Sequence, residues 1–150
     1  MNYRRLALTI VAAVAVDFLY GFVVYGNLLT GEFARYPSIF RPMDTQLPYM
    51  PYLFIGIVLA AIAASVMYAK GYEGRGGGVA EGVRFGLWVG LFVVGYVVMV
   101  SYATMNVGRR FTGLMAITGL AEWAIVGGVI GAVYKPAAAD SRSAPRSAGV

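Results

Sequence analysis

Residues 6–29, LALTIVAAVAVDFLYGFVVYGNLL, are apolar almost without a break and hold a single acid, Asp17, at their midpoint. A helix rises about 1.5 Å per residue, so such a run crosses the ~30 Å hydrocarbon layer of a bilayer with length to spare for tilt. Residues 112–134, TGLMAITGLAEWAIVGGVIGAVY, repeat the arrangement with Glu122 at the centre. These two runs decide the fold class, an all-α membrane protein, and the rest of the chain reads as their support.

Two further runs complete the set. Residues 51–69, PYLFIGIVLAAIAASVMYA, carry no charge, and Pro51 stands at the helix start, where a missing N–H costs nothing. Gly56, Ala60, Ala63 and Ala64 keep one side of this run small. Residues 85–105, FGLWVGLFVVGYVVMVSYATM, set Trp88, Phe92, Tyr96 and Met99 at helical spacing, a stripe suited to lipid or to packing. Gly86 and Gly90 make a small-xxx-small pair on another face, and Gly127 and Gly131 do the same in the last run. Such pairs let two helix backbones approach closely. The expected architecture is a four-transmembrane-helix bundle in one domain, residues 1–135, with spans at 6–29, 51–69, 85–105 and 112–134.

The connections differ in character. Residues 30–50, TGEFARYPSIFRPMDTQLPYM, contain Pro37, Pro42 and Pro48, which exclude a long helix, and aromatics that suit the headgroup layer. This segment reads as an interfacial cap between helices 1 and 2, helical near residues 32–36. Residues 70–84, KGYEGRGGGVAEGVR, hold six glycines. No strand precedes them and no Walker lysine follows, so they form a flexible connector rather than a phosphate cradle. Residues 106–111, NVGRRF, are a short turn, which makes spans three and four antiparallel neighbours. Residues 136–150 turn to Pro, Ser and Ala and read as a disordered cytoplasmic tail. The leader MNYRR and the Ala13-Val14-Ala15 site have the look of a signal peptide, but the apolar run continues well past a signal core of roughly 7–15 residues. An uncleaved helix is the better reading.

Composition narrows the chemistry. Hydrophobic residues make up 59% of the chain and charged residues 13%, against about 25% charged in soluble proteins. Cysteine and histidine are absent, so disulfides, thiolate metal sites and the usual haem and zinc ligands are excluded, and neither a metal nor a cofactor is expected. The net charge of +5 is spread over the ends of the apolar runs, which is the pattern of membrane anchors and not of a nucleic-acid surface. Arg4, Arg5, Lys70, Arg75, Arg84, Lys135, Arg142 and Arg146 fall on one side of the predicted bundle, and Arg35, Arg41, Arg109 and Arg110 on the other. The excess places both termini and the glycine connector in the cytoplasm, and the lack of Cys and His with abundant Ala, Gly and Val suits a plasma membrane of bacterial inner-membrane type. A faint repeat links VMYAKG at residues 66–71 with AVYKP at residues 132–136, as two duplicated hairpins would.

A carboxylate in mid-membrane costs about 2.5–3.5 kcal/mol on insertion scales, so it normally faces protein or water and marks function. Asp17 and Glu122 fall at similar depth, and no Lys, Arg or His lies inside any span to pair with them. If adjacent, they share a proton, or a monovalent cation or cationic substrate supplies the missing charge. The bland alternative is interhelical glue, a protonated acid bonded to a backbone carbonyl or to Tyr20. The leading functional expectation is a proton- or cation-coupled small-solute transporter or channel subunit, with Asp17 and Glu122 titrating and Tyr20, Tyr25, Asn27 and Thr118 lining the path. Four spans are few for a pathway, so a homodimer through the Gly/Ala faces is implied. The second expectation is a non-catalytic accessory or assembly subunit of a larger membrane complex, held by its glycine stripes. The third is a membrane-embedded lipid- or quinone-modifying enzyme, with the acids as a general acid/base pair and the outer arginines on a headgroup.

Overall fold

The structure, a computed structural model, describes residues 2–71 and 78–134. Residues 72–77 of the glycine connector, residue 135 and the 136–150 tail lie outside the described residues. Within them every regular element is helical and no strand occurs. Four helical runs, of 25 to 28 residues each, are long and apolar enough to cross a membrane.

Helix α1 (Tyr3–Leu28) starts at Asn2, whose side-chain oxygen accepts from the Arg5 N–H at 3.1 Å and satisfies one of the free donors of the first turn. It is α-helical to Val23 and π-helical over Val24–Leu28. The connection then makes one short turn, α2 (Thr30–Phe33), where helix was expected near residues 32–36. A second helical turn, Met43–Gln46, and a 3-10 turn, Leu47–Tyr49, run directly into α3 (Met50–Gly71). Helix α4 (Val79–Thr104) contains a second π-helical segment, Val94–Met99. Helix α5 (Arg109–Val133) is an uninterrupted α-helix.

Helix α5 is the centre of the bundle: α4 packs along it on one side and α1 on another, while α3 lies chiefly against α1. The antiparallel pairing of the last two spans is as the short 106–111 turn requires. The start of α4 differs from expectation. Residues 79–84 are helical and not connector, because Gly78, at φ +129, makes the turn and Gly82 is needed inside the helix contact.

That contact is a seam of glycines. A Cβ placed on Gly82 would strike the Gly127 carbonyl, one on Gly86 the Trp123 carbonyl, and one on Gly131 the Gly78 carbonyl. Gly90 lies a little looser, 3.2 Å from Leu120 and Trp123 side-chain atoms. The repeat Gly78-Gly82-Gly86-Gly90 thus faces Trp123, Gly127 and Gly131, each side spaced by four residues so that one helix stripe meets another. Gly86, Gly90, Gly127 and Gly131 are therefore packing residues within the chain, and a homodimer or larger complex has to use another face.

The apolar core proper gathers where α1, α3 and α5 meet: Leu6, Ala13, Ala61, Ala64, Tyr68, Val126, Ile130 and Tyr134. Tyr68 and Tyr134, the two tyrosines of the faint repeat, meet edge to face at 6.1 Å, and Tyr68 also meets Phe85 at 5.4 Å. On α3 the packed small residues are Ala61, Ala64 and Ser65, whereas Gly56 and Ala63 face outward. The outer surface is apolar and aromatic, with Trp88, Phe92 and Tyr96 each more than half exposed, as lipid-facing side chains would be.

Residues 30–40 fold over the start of α5. Phe111 is buried there beneath three rings, with Phe33, Tyr36 and Phe40 each at 5.3 Å. Glu32 reaches Arg110 at 2.9 Å and Arg35 at 3.8 Å, and the Gly108 N–H donates to the Tyr36 hydroxyl at 3.0 Å. The ion pairs have exposed arginines and contribute little, so the rings hold the cap. Removing a buried Phe side chain costs about 3 kcal/mol in a well-packed site. Phe111→Ala is expected to raise protease cleavage within residues 30–40 by more than ~10-fold, since cleavage follows the open population. Unchanged cleavage would show that the cap rests on something other than these rings.

Candidate functional site

Asp17 is buried on α1, at 8% exposure, one turn beyond the fully buried Ala13. Glu122 is half-buried on α5, one turn before Val126. Both acids thus sit at the edge of the apolar core, on the faces that α1 and α5 turn toward each other. Their carboxyl groups are neighbours, close enough to interact directly. Two carboxyl groups so placed can hold one proton between them.

Two tyrosines of α1 complete the site. The Tyr25 hydroxyl donates to Glu122 Oε2 at 2.9 Å. Its Cα lies two turns above Asp17, but helical side chains lean toward the helix N-terminus, and the long phenol reaches back to the acids. The Tyr20 hydroxyl donates to the Thr118 carbonyl at 2.8 Å, and the two rings stand edge to face at 6.0 Å. Thr118 directs its own hydroxyl to the Leu114 carbonyl at 2.7 Å, a within-helix bond. The assembly is two carboxyl groups, two phenols and one backbone carbonyl.

Of the sequence candidates, Asp17, Glu122, Tyr20, Tyr25 and Thr118 come together. Asn27 does not join them. It is exposed, and its side-chain amide donates to the Phe22 carbonyl, five residues back, at 2.7 Å. That bond lies across the π-helical segment, where the wider turn displaces the regular ladder and leaves main-chain groups to be satisfied by side chains. Asn27 is thus a local cap and no lining residue. Thr30 continues the same pattern by donating to the Asn27 carbonyl at 3.0 Å.

The sequence reading missed Phe33. Its ring sits 6.5 Å from Tyr25 and 5.0 Å from Phe40, so it carries the cap to the site. The signal was available only as an aromatic in a proline-rich connection. The outer arginines stand apart from the acids: Arg110 and Glu122 are separated by roughly 18 Å of helix at ~1.5 Å per residue. A groove of about 350 Å³ between α4 and α5, lined by Val79, Val83, Ile125 and Val129, is apolar and belongs to the glycine seam, not to the acids. No group of three or more acidic, His or Cys side chains able to hold a metal occurs among the described residues.

Compared with protein-family models, with curated proteins and with solved structures, the chain matches none significantly.

Proposed function

We propose that the chain is a small multi-pass membrane protein that moves protons or a monovalent cation through the Asp17–Glu122 pair, as a transporter or channel subunit. The observation that carries this reading is the pair itself. Two acids from distant parts of the chain meet at the edge of an apolar core, with hydroxyl groups and no base beside them. An acid kept only as glue needs one partner on the next helix. A second acid as that partner adds a desolvation cost of its own, which a titrating or cation-holding role explains. Two carboxyl groups and two phenols suit a proton or a monovalent cation better than calcium, which takes six to eight oxygens.

The setting follows from the basic residues. Their excess at the leader, the glycine connector and the tail supports both termini on the cytoplasmic side, and the lack of Cys and His with abundant Ala, Gly and Val suits a bacterial-type inner membrane. The accessory-subunit alternative draws no support from the glycines, which are occupied between α4 and α5. The enzyme alternative is weakened by the span of helix between the acids and the arginines that would bind a headgroup.

The test is flux in proteoliposomes, read with an internal pH dye and with potassium or sodium gradients imposed in turn. The wild type is expected to carry flux above empty vesicles, and Asp17→Asn and Glu122→Gln to fall to that background. Wild-type rates in both variants would end the reading. Asn27→Ala, outside the site, is expected to retain flux within about twofold, while the lost cap costs about 0.5–2 kcal/mol of stability. A collapse of flux in Asn27→Ala alone would return this residue to the pathway.

A further inference from the structure

One side chain, Tyr25, touches both the acid pair and the cap. Tyr25 donates its hydroxyl to Glu122 Oε2 at 2.9 Å, while its ring lies against Phe33 of the cap at 6.5 Å. Phe33 in turn packs on Phe40 at 5.0 Å and on Phe111 at 5.3 Å. The backbone between Tyr25 and Phe33 is the π-helical segment Val24–Leu28 and the break at Leu29. Wide turns of this kind tend to occur where a helix adjusts for function.

We infer that residues 30–40 are a gate on the acid pair, held shut by the Tyr25 hydroxyl on Glu122 and hinged at the π-helical segment. This rests on the transport reading, because it gives the cap the task of regulating access to that site. When a bound cation or a change of protonation withdraws Glu122 Oε2, the phenol loses its acceptor and swings from the pair. Phe33 then loses Tyr25 as a neighbour, and the cap is left with its rings on Phe111, the Glu32–Arg110 pair and the Tyr36–Gly108 bond. The ion pair is a surface contact of small strength, so the cap opens once the ring contacts loosen. The charged and titratable groups that meet Tyr25 are Glu122 and Tyr20, and those of the cap contact are Glu32, Arg35, Tyr36 and Arg110. Glu122 alone among the acids both receives the Tyr25 bond and lies in reach of Asp17.

The chain has no cysteine, so Ser38→Cys and Met105→Cys, both exposed, introduce the only two thiols for spin labels. Distances between the labels are measured on the full chain in lipid vesicles, with Phe111→Ala as the reference for an opened cap. Tyr25→Phe removes one oxygen and keeps the ring. Glu122→Ala removes the acceptor, and Glu122→Gln keeps one. The expected result is a longer, broader distribution, shifted by about 5 Å or one helical turn, in Tyr25→Phe and Glu122→Ala but not in Glu122→Gln. A Tyr25→Phe distribution identical to the wild type, with Phe111→Ala shifted, would overturn the gate. If Glu122→Ala fails to fold, Tyr25→Phe and Glu122→Gln decide the matter alone. The two ideas fail separately. Unimpaired flux in both acid variants sinks transport whatever the labels show, and an unmoved cap in Tyr25→Phe sinks the gate while transport stands.

Discussion

Gly127→Ala is expected to destabilise the bundle by about 1–3 kcal/mol, although it adds a single methyl group. The position leaves no room. A Cβ there would strike the Gly82 carbonyl and come within 2.6 Å of Gly86 Cα, and both contacts are backbone that no rotamer change can relieve. Gly82→Ala and Gly86→Ala should do the same from the other helix. A larger Gly127→Leu should separate α4 from α5 altogether. The control is Gly113→Ala on the same helix, where a Cβ meets nothing within 4 Å. There alanine should be neutral or stabilising by up to ~1 kcal/mol, since it lowers the conformational cost of the helix. Thermal or denaturant unfolding in detergent, followed by circular dichroism, checks the contrast. Equal effects at Gly127 and Gly113 would mean that the seam is looser than described.

The second large effect is on flux. Asp17→Asn and Glu122→Gln should each lower it more than ~10-fold, or about 1.4 kcal/mol in effective terms. The double variant should be no worse than either single one. Groups that act as a unit lose their function when one is removed, so losses do not add. Two independent acids would instead give additive losses. Tyr25→Phe should fall between, because it removes a hydrogen bond to Glu122 and leaves both carboxyl groups in place. Flux measured across the four variants under one imposed gradient checks the pattern, and additive losses would break the pair into unrelated sites.

Much of this architecture was legible because lipid-facing helices advertise themselves. An unbroken apolar run of the right length has few other readings, and each of the four expected spans overlaps an observed helix. The acids were legible for the same reason: a charge at mid-span stands out, and antiparallel spans bring midpoints level. What the sequence did not disclose depends on rotation about the helix axis. The partnership of Tyr25 with Glu122 joins residues 97 apart, and no periodicity within α1 announces it. The π-helical segment was equally silent, and with it the local duty of Asn27. Gly82 was lost to the connector because Glu81 and Arg84 make that stretch look polar, yet the same Gly-xxx-Gly spacing runs on through Gly86 and Gly90.

The claim beneath all of this is that Asp17 and Glu122 form one electrostatic unit inside a single chain. The most direct measurement is an infrared titration of the protonated carboxyl band of the purified protein in lipid, for the wild type, Asp17→Asn and Glu122→Gln. Coupled acids titrate as a pair, so removing either one should move the midpoint of the other by roughly a unit or more. A remaining carboxyl group that titrates the same with and without its neighbour would contradict the account.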